Sequence, residues 1–304
     1  MNSALCLLVY GVVLVWLCPP ALARLTRAGR NPALSIMVWL STIALALGAW
    51  VAAGAGVLAE VVSMHSVRPV QYCVDMLLAV GHLGWAGQLG LAAAGIAGLG
   101  VSVVVARRLA VTLRRLWSRS REHAHAAHLL GASTSRPGVV VLSAEQPTAY
   151  CVAGRPHAIV VTTGAVASLS ERELAAVLAH EQAHVSGRHP QLMMTLRALA
   201  ISMPRLPLLA AAVEAVGSLV EMCADDRAAR RYGRDTVLCS LMALAGGPRV
   251  GPGLGAADTA VVARAARLAG PVRRWPQWRQ RLLLSATLTL LLAVPAVIIT
   301  VCHT

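Results

Sequence analysis

Charge is scarce in this chain: 13% of its 304 residues are charged, and 13 residues are acidic. Phenylalanine is absent, aromatics make up 4%, and no lysine occurs, so all 27 basic side chains are arginine. Soluble domains carry about 25% charged residues. Half that share, beside 57% apolar residues, excludes an ordinary soluble globule and predicts an integral membrane protein, mainly α. The seven cysteines (Cys6, Cys18, Cys73, Cys151, Cys223, Cys239, Cys302) contain no C-x-x-C pair, which excludes a disulfide framework and leaves free thiols. No nucleic-acid motif accompanies the net charge of +14. The arginines instead bracket apolar runs, where they meet anionic lipid, so direct contact with nucleic acid is not expected.

Four runs approach or exceed the ~20 residues that a helix needs to cross a bilayer: about 4–22, 34–58, 77–106 and 282–301. Arg24, Arg27 and Arg30 follow the first run. A series from Arg107 to Arg121 follows the third, and one from Arg264 to Arg281 precedes the fourth. The opposite side shows only Arg68. Positively charged loops stay cytoplasmic, so both termini are expected outside, the Glu60 to Asp75 loop outside, and residues 107–281 inside. Residues 1–106 then form a region of three transmembrane helices, 107–281 a cytoplasmic domain, and 282–304 the fourth helix with a short C-terminus. Ala21-Leu22-Ala23 resembles a signal cleavage site, but no positive charge precedes Arg24, as a signal would require.

Within the cytoplasmic stretch, Ala179-His180-Glu181-Gln182-Ala183-His184 carries H-E-x-x-H. A chain with ten histidines would show this by chance about once in a hundred. Positions i and i+4 of a helix project from one face, so His180 and His184 can offer two imidazoles to one metal while Glu181 reaches the attacking water. Ser170 with Glu173 forms a capping box, Leu174, Val177, Leu178 and Val185 supply an apolar stripe, and Gly187 with Pro190 ends the helix. Farther on, Glu221 and Asp225 fall at i and i+4 of a helical stretch stopped by Gly233. One carboxylate would bind the metal and the other would accept the spare N–H of a ligand histidine. Asp226 points elsewhere, at the surface or toward an arginine, and Cys223 lies on the far side of the helix. Arg227, Tyr232 and His189 are candidate donors to an oxyanion.

The neighbouring segments carry weaker signals. Arg107 to Arg121, with Leu109, Val111, Leu113 and Leu116 interleaved, either continues the third helix out of the bilayer or lies on its surface. His125 and His128 are helix neighbours, and the segment Glu122 to His128 reads as a solvated His-rich helix end. Gly138 to Leu142, Thr148 to Val152 and His157 to Thr162 predict a small antiparallel sheet, whose edge could take an extended peptide. Pro190 to Leu219 is strongly apolar, but Arg197, Arg205 and three prolines interrupt it. A further crossing would separate His184 from Glu221, so none is expected there. Gly246 to Gly255 is a flexible loop leading to the helix that returns to the bilayer.

The runs Ala149 to Gly164, Leu169 to His184 and Glu221-x-x-x-Asp225 resemble membrane zinc peptidases of the HtpX type and, more closely, the BlaR/MecR antirepressor type. The resemblance covers residues 139 to 235 by motif and most of the chain by layout. It implies an α+β zincin-like peptidase domain between the third and fourth of four transmembrane helices, with one Zn²⁺ per chain. It also implies cleavage of a cytoplasmic repressor of the BlaI/MecI kind in response to a signal. The chain ends at Cys302-His303-Thr304, where such sensors continue into a penicillin-binding domain, so a signal is expected through the spans, the short outer loop or a sensor partner. The expected enzyme is a gluzincin-type zinc metalloendopeptidase of the cell membrane, with Glu181 as base, His180, His184 and Glu221 as ligands, and Asp225 accepting the spare N–H of a ligand histidine. Other readings are an HtpX-like protease of membrane-protein quality control, a non-catalytic membrane receptor with a zinc fold, and an intramembrane protease. Glu171, Arg172 and Glu173 make intramembrane depth costly for the last.

Overall fold

The structure, a computed structural model, describes residues 3–63, 85–245, 256–271 and 274–303. Arg68, Cys73, most of the outer loop, the start of the third apolar run and the Gly246 to Gly255 loop lie outside the described residues.

Helices α1 (Ser3–Trp16) and α2 (Cys18–Thr26) meet at a 48° bend. Its cause is local: Pro19 and Pro20 open α2, lack N–H groups and clash with the preceding turn. Helix α3 runs Pro32–Ser63, and α4 continues without a break from Trp85 to Leu130. The basic stretch after the third apolar run therefore prolongs that helix and does not fold back onto a surface. Strands β1 (Ala132–Ser133), β2 (Val139–Leu142), β3 (Ala149–Val152) and β4 (Ala158–Thr162) follow. Helices α5 (Thr163–Ser168), α6 (Glu171–Ser186), α7 (His189–Ser202), α8 (Pro207–Tyr232), α9 (Arg234–Ala245), α10 (Ala256–Ala269) and α11 (Arg274–His303) complete the chain.

Among the described residues, four helices are long and apolar enough to cross a membrane: Pro32–Gly56, Gly95–Leu130, Pro207–Tyr232 and Gln277–Ile298, with the bent α1–α2 pair as a fifth candidate. The mainly helical architecture, with its apolar helices and one small sheet, fits a membrane protein. The apolar half of α8 was not among the expected spans. Its Leu208, Leu209, Ala212, Val216, Leu219 and Val220 share one core with Leu14 and Val15 of α1, Val38, Trp39 and Ile43 of α3, and Leu284 of α11. Polar groups tie the same bundle together. Trp39 Nε1 donates to Thr26 Oγ1 (3.1 Å), and Asn31 bonds to Gln277 and Gln280 of α11.

The sheet differs from the antiparallel expectation. Its order is β1-β2-β4-β3; β2 and β4 run parallel, with Val139 opposite Ile159, while β3 is antiparallel to β4. All five residues of β4 are buried, which places it between its neighbours and sends β3 to the edge. Period-two patterning marks a strand and its faces but not its direction. One face carries Ile159, Val161, Ala149 and Cys151 against Val177 and Leu174 of α6. The other carries Val140, Val152 and Val160 against Ala124 and Ala127 of α4. The metal-motif helix is thus mounted on the sheet, and the sheet on the end of a membrane-type helix.

Candidate active site

Helix α6 begins as its sequence requires. Ser170 Oγ accepts from the Glu173 N–H, and the Glu173 carboxylate accepts from the Ser170 N–H at 2.9 Å. Helical spacing then brings His180 and His184 together, with Nε2 atoms 3.1 Å apart. Helix α8 supplies Glu221, whose carboxylate oxygens lie 3.5 Å from His180 Nε2 and 3.4 Å from His184 Nε2. These three are the one group of metal-ligating side chains that converge among the described residues. Cys223, two positions beyond Glu221, is not part of it. Bonds of 2.0–2.1 Å in a tetrahedral site put ligand atoms about 3.3 Å apart. Spacings of 3.1–3.5 Å therefore fit zinc, as does a donor set of two imidazoles and one carboxylate.

The outer bonds orient these donors. His180 Nδ1 lies 3.0 Å from Asp225 Oδ1, which turns Nε2 toward the cluster. His184 Nδ1 lies 3.0 Å from His189 Nδ1. His189, a candidate oxyanion donor in the sequence, is buried and faces the back of a ligand histidine. The turn that brings it there ends α6 at Gly187, where a Cβ would run into the His189 ring, and puts Arg188 in the left-handed region at φ 52°. The other two oxyanion candidates are also engaged elsewhere. Arg227 donates to Ser186 Oγ at 2.9 Å, at the end of α6. The Tyr232 ring packs with the Ala176, Ala228 and Val237 cluster beneath Arg231.

Two participants were not singled out by the sequence. Arg264 of α10 forms a fork on Asp225, with Nε to Oδ2 at 2.8 Å and Nη2 to Oδ1 at 2.7 Å, and its Nη1 reaches Glu221 Oε2 at 3.0 Å. Three residues on, Arg267 holds Asp226 with Nη1 to Oδ1 at 2.8 Å and Nη2 to Oδ2 at 2.7 Å, the second of the two readings of that acid, and also donates to the Gly29 carbonyl. Two acids, Asp225 and Asp226, and two arginines one helical turn apart, Arg264 and Arg267, were the available signal. It was masked because the arginines also read as a charged flank of the last span. The second participant is Cys151 on edge strand β3, whose side chain and backbone bond the Glu181 carboxyl.

The surroundings set the protonation states. Burial opposes charge on His180, but the bonds to Asp225 and Glu221 prevail and hold it up at about 9, so a metal bound there would displace the Nε2 proton. Burial pushes His184 down to about 4, so it stays neutral and can ligate. Glu181 is buried, at 8% exposure. Burial lifts its carboxyl above the usual range, with the His180 charge opposing and the Glu221 charge assisting. That shift suits a group that must accept and return a proton near neutrality. Burial and the Glu181 charge push the Cys151 thiol up to about 12, so it is a donor here and not a nucleophile.

A metal-ligating helix on a mixed sheet, with the third ligand on a later helix, defines a candidate metallopeptidase of the H-E-x-x-H class. Residues 123–244 match peptidase family M48, whose members are zinc-dependent. The match spans the sheet, α6, α8 and nearly all of α9, and supports a protease of the membrane zinc-metallopeptidase kind. No solved structure matches the chain.

Proposed function

We propose that this protein is a membrane-embedded zinc metalloendopeptidase that hydrolyses a peptide bond of a cytoplasmic protein, a transcriptional repressor in a signalling response. The observation that carries the chemistry is the convergence of His180, His184 and Glu221 with buried Glu181 on the same helix. A zinc ion held by the first three would supply a Lewis acid and lower the pKa of an attacking water toward ~7. Glu181 takes the water proton and returns it to the leaving amine. Asp225 keeps His180 in the tautomer that presents Nε2, and His189 does the same for His184. Arg264 balances the two carboxylates. An extended substrate pairs with the free edge of β3, where Cys151 holds Glu181 in place. The distribution of arginines supports a cytoplasmic active site with both termini outside.

A second reading, quality control of membrane proteins, is favoured by one contact. Gly29, in the turn between α2 and α3, lies so close to Met222 that a Cβ there would run into its sulfur. Met222 directly follows Glu221, so the cluster adjoins the end of two apolar helices, within reach of segments leaving the bilayer.

The test is Glu181→Gln in the full chain. We expect stoichiometric zinc with peptide-bond hydrolysis reduced by roughly 10²–10⁴-fold, the span of a general base. Hydrolysis at the wild-type rate would remove Glu181 from this role, and wild-type protein without zinc would remove the peptidase. Comparing cellular proteomes between the two forms separates the readings: one stabilised repressor supports the first, many stabilised membrane proteins the second.

A further inference from the structure

A second concave site lies apart from the metal cluster. It is a cleft of about 760 Å³ between α4, the turn after β3 and the start of α7. Arg114 and Arg121 line it from α4, Arg155 from the turn, and Arg188 from the left-handed position before α7; Glu122 is its one acid. That acid accepts from Ser118 Oγ at 2.7 Å. Arg121 lies over the Trp117 ring, 5.9 Å from its centroid. Arg114, Arg155 and Arg188 have no anionic partner among the described residues. In an apolar chain, four arginines against one acid on a single cleft leave an excess of positive charge that calls for a counter-charge from outside.

The cleft's setting selects its source. Val101, Val104, the pair Arg107 and Arg108, Val111, Arg114, Ser118 and Arg121 follow one another at three- and four-residue steps, so they form one stripe along α4, apolar up to Val104 and basic from Arg107 on. Val101 and Val104 are exposed in the part of α4 that is apolar enough to cross a membrane. From Val104 to Arg114 the helix rises about 15 Å, half the thickness of a bilayer's hydrocarbon core. On the other wall, Gln191 of α7 lines the cleft, while Leu196, less than two turns on, is buried in the core shared with α1 and α3. The cleft therefore opens where apolar helix surface gives way to arginine, with a tryptophan at the boundary, as at a bilayer interface.

We propose that this cleft binds the phosphate headgroup of an anionic phospholipid, with the acyl chains lying along the exposed Val101–Val104 surface beyond Arg107. The site holds the junction of α4, sheet and α7 against the membrane surface. It is independent of the peptidase reading.

Full-length protein, delipidated in neutral detergent, is titrated with phosphatidylglycerol or phosphatidylcholine and read by native mass spectrometry. The first phosphatidylglycerol should bind at least tenfold more tightly than phosphatidylcholine. Arg114→Gln with Arg155→Gln, both at exposed positions, should weaken it roughly thirtyfold, from about fivefold per arginine. The equally charged control Arg136→Gln with Arg231→Gln should leave it unchanged. Equal binding of the two lipids overturns the proposal, as does a loss of the same size in the control. Displacement of the lipid by micromolar hexaglutamate would assign the cleft to an acidic protein segment, and displacement by millimolar inorganic phosphate to a soluble anion.

Discussion

Replacing Arg264 by methionine tests whether the α8–α10 ion pairs hold the metal cluster together. Asp225 is 1% exposed and Arg264 13%. Removing the guanidinium leaves a buried carboxylate with only His180 beside it. Losing one partner of a buried pair costs about 3–5 kcal/mol. For a chain of this size that is a fall of roughly 6–20 °C in the unfolding midpoint. Asp225 would also lose the fork that sets its orientation, and with it the position of His180, which should weaken zinc about 10–100-fold. Arg264→Lys restores a charge but not the planar fork that reaches both Asp225 oxygens and Glu221. It should therefore fall between wild type and the methionine form. Adding Asp225→Asn to Arg264→Met removes the stranded charge and should recover much of the stability while zinc stays weak. The assay is fluorescence-monitored unfolding of the full chain in detergent, paired with zinc competition against a chromogenic chelator. A methionine form that melts within about 2 °C of wild type and holds zinc equally well would refute this account.

Other consequences concern the donors and the helix that carries them. His189→Phe keeps a ring of similar volume but removes the partner of His184 Nδ1, so zinc affinity should drop about 10–100-fold with little change in secondary structure by circular dichroism. Ser170→Ala removes the cap of α6 and should cost about 1 kcal/mol, read as a lower unfolding midpoint. The bonds from Ser170 hold the Glu173 carboxyl below its usual range, so its contribution is present above the unfolded value of about 4.3 and is lost as pH falls through the lower folded value. The stability gap between wild type and Glu173→Gln should therefore be open at pH 7 and close under acid titration; a gap that widened in acid would contradict the capping-box assignment.

Local rules were enough for several features. The spacing of His180 and His184, the Ser170–Glu173 cap, the pairing of Glu221 with Asp225 on one face, and the apolar runs of α3 and α11 all follow from helix periodicity and side-chain chemistry. Those rules act over a few residues and so are legible in a single chain. Strand positions were legible for the same reason. Their order was not, because pairing β2 directly with β4 and sending β3 to the edge depends on which strand is buried on both faces. Long-range electrostatics and packing decided the rest. Arg264 reaches the cluster from 39 residues beyond Asp225, and a linear reading cannot distinguish it from arginines that flank a membrane span. The apolar half of α8 reads as either a span or a buried core helix, since both burials demand the same side chains. Only the tertiary contact with α1, α3 and α11 shows that it joins their core and carries Glu221 to the turn at Gly29.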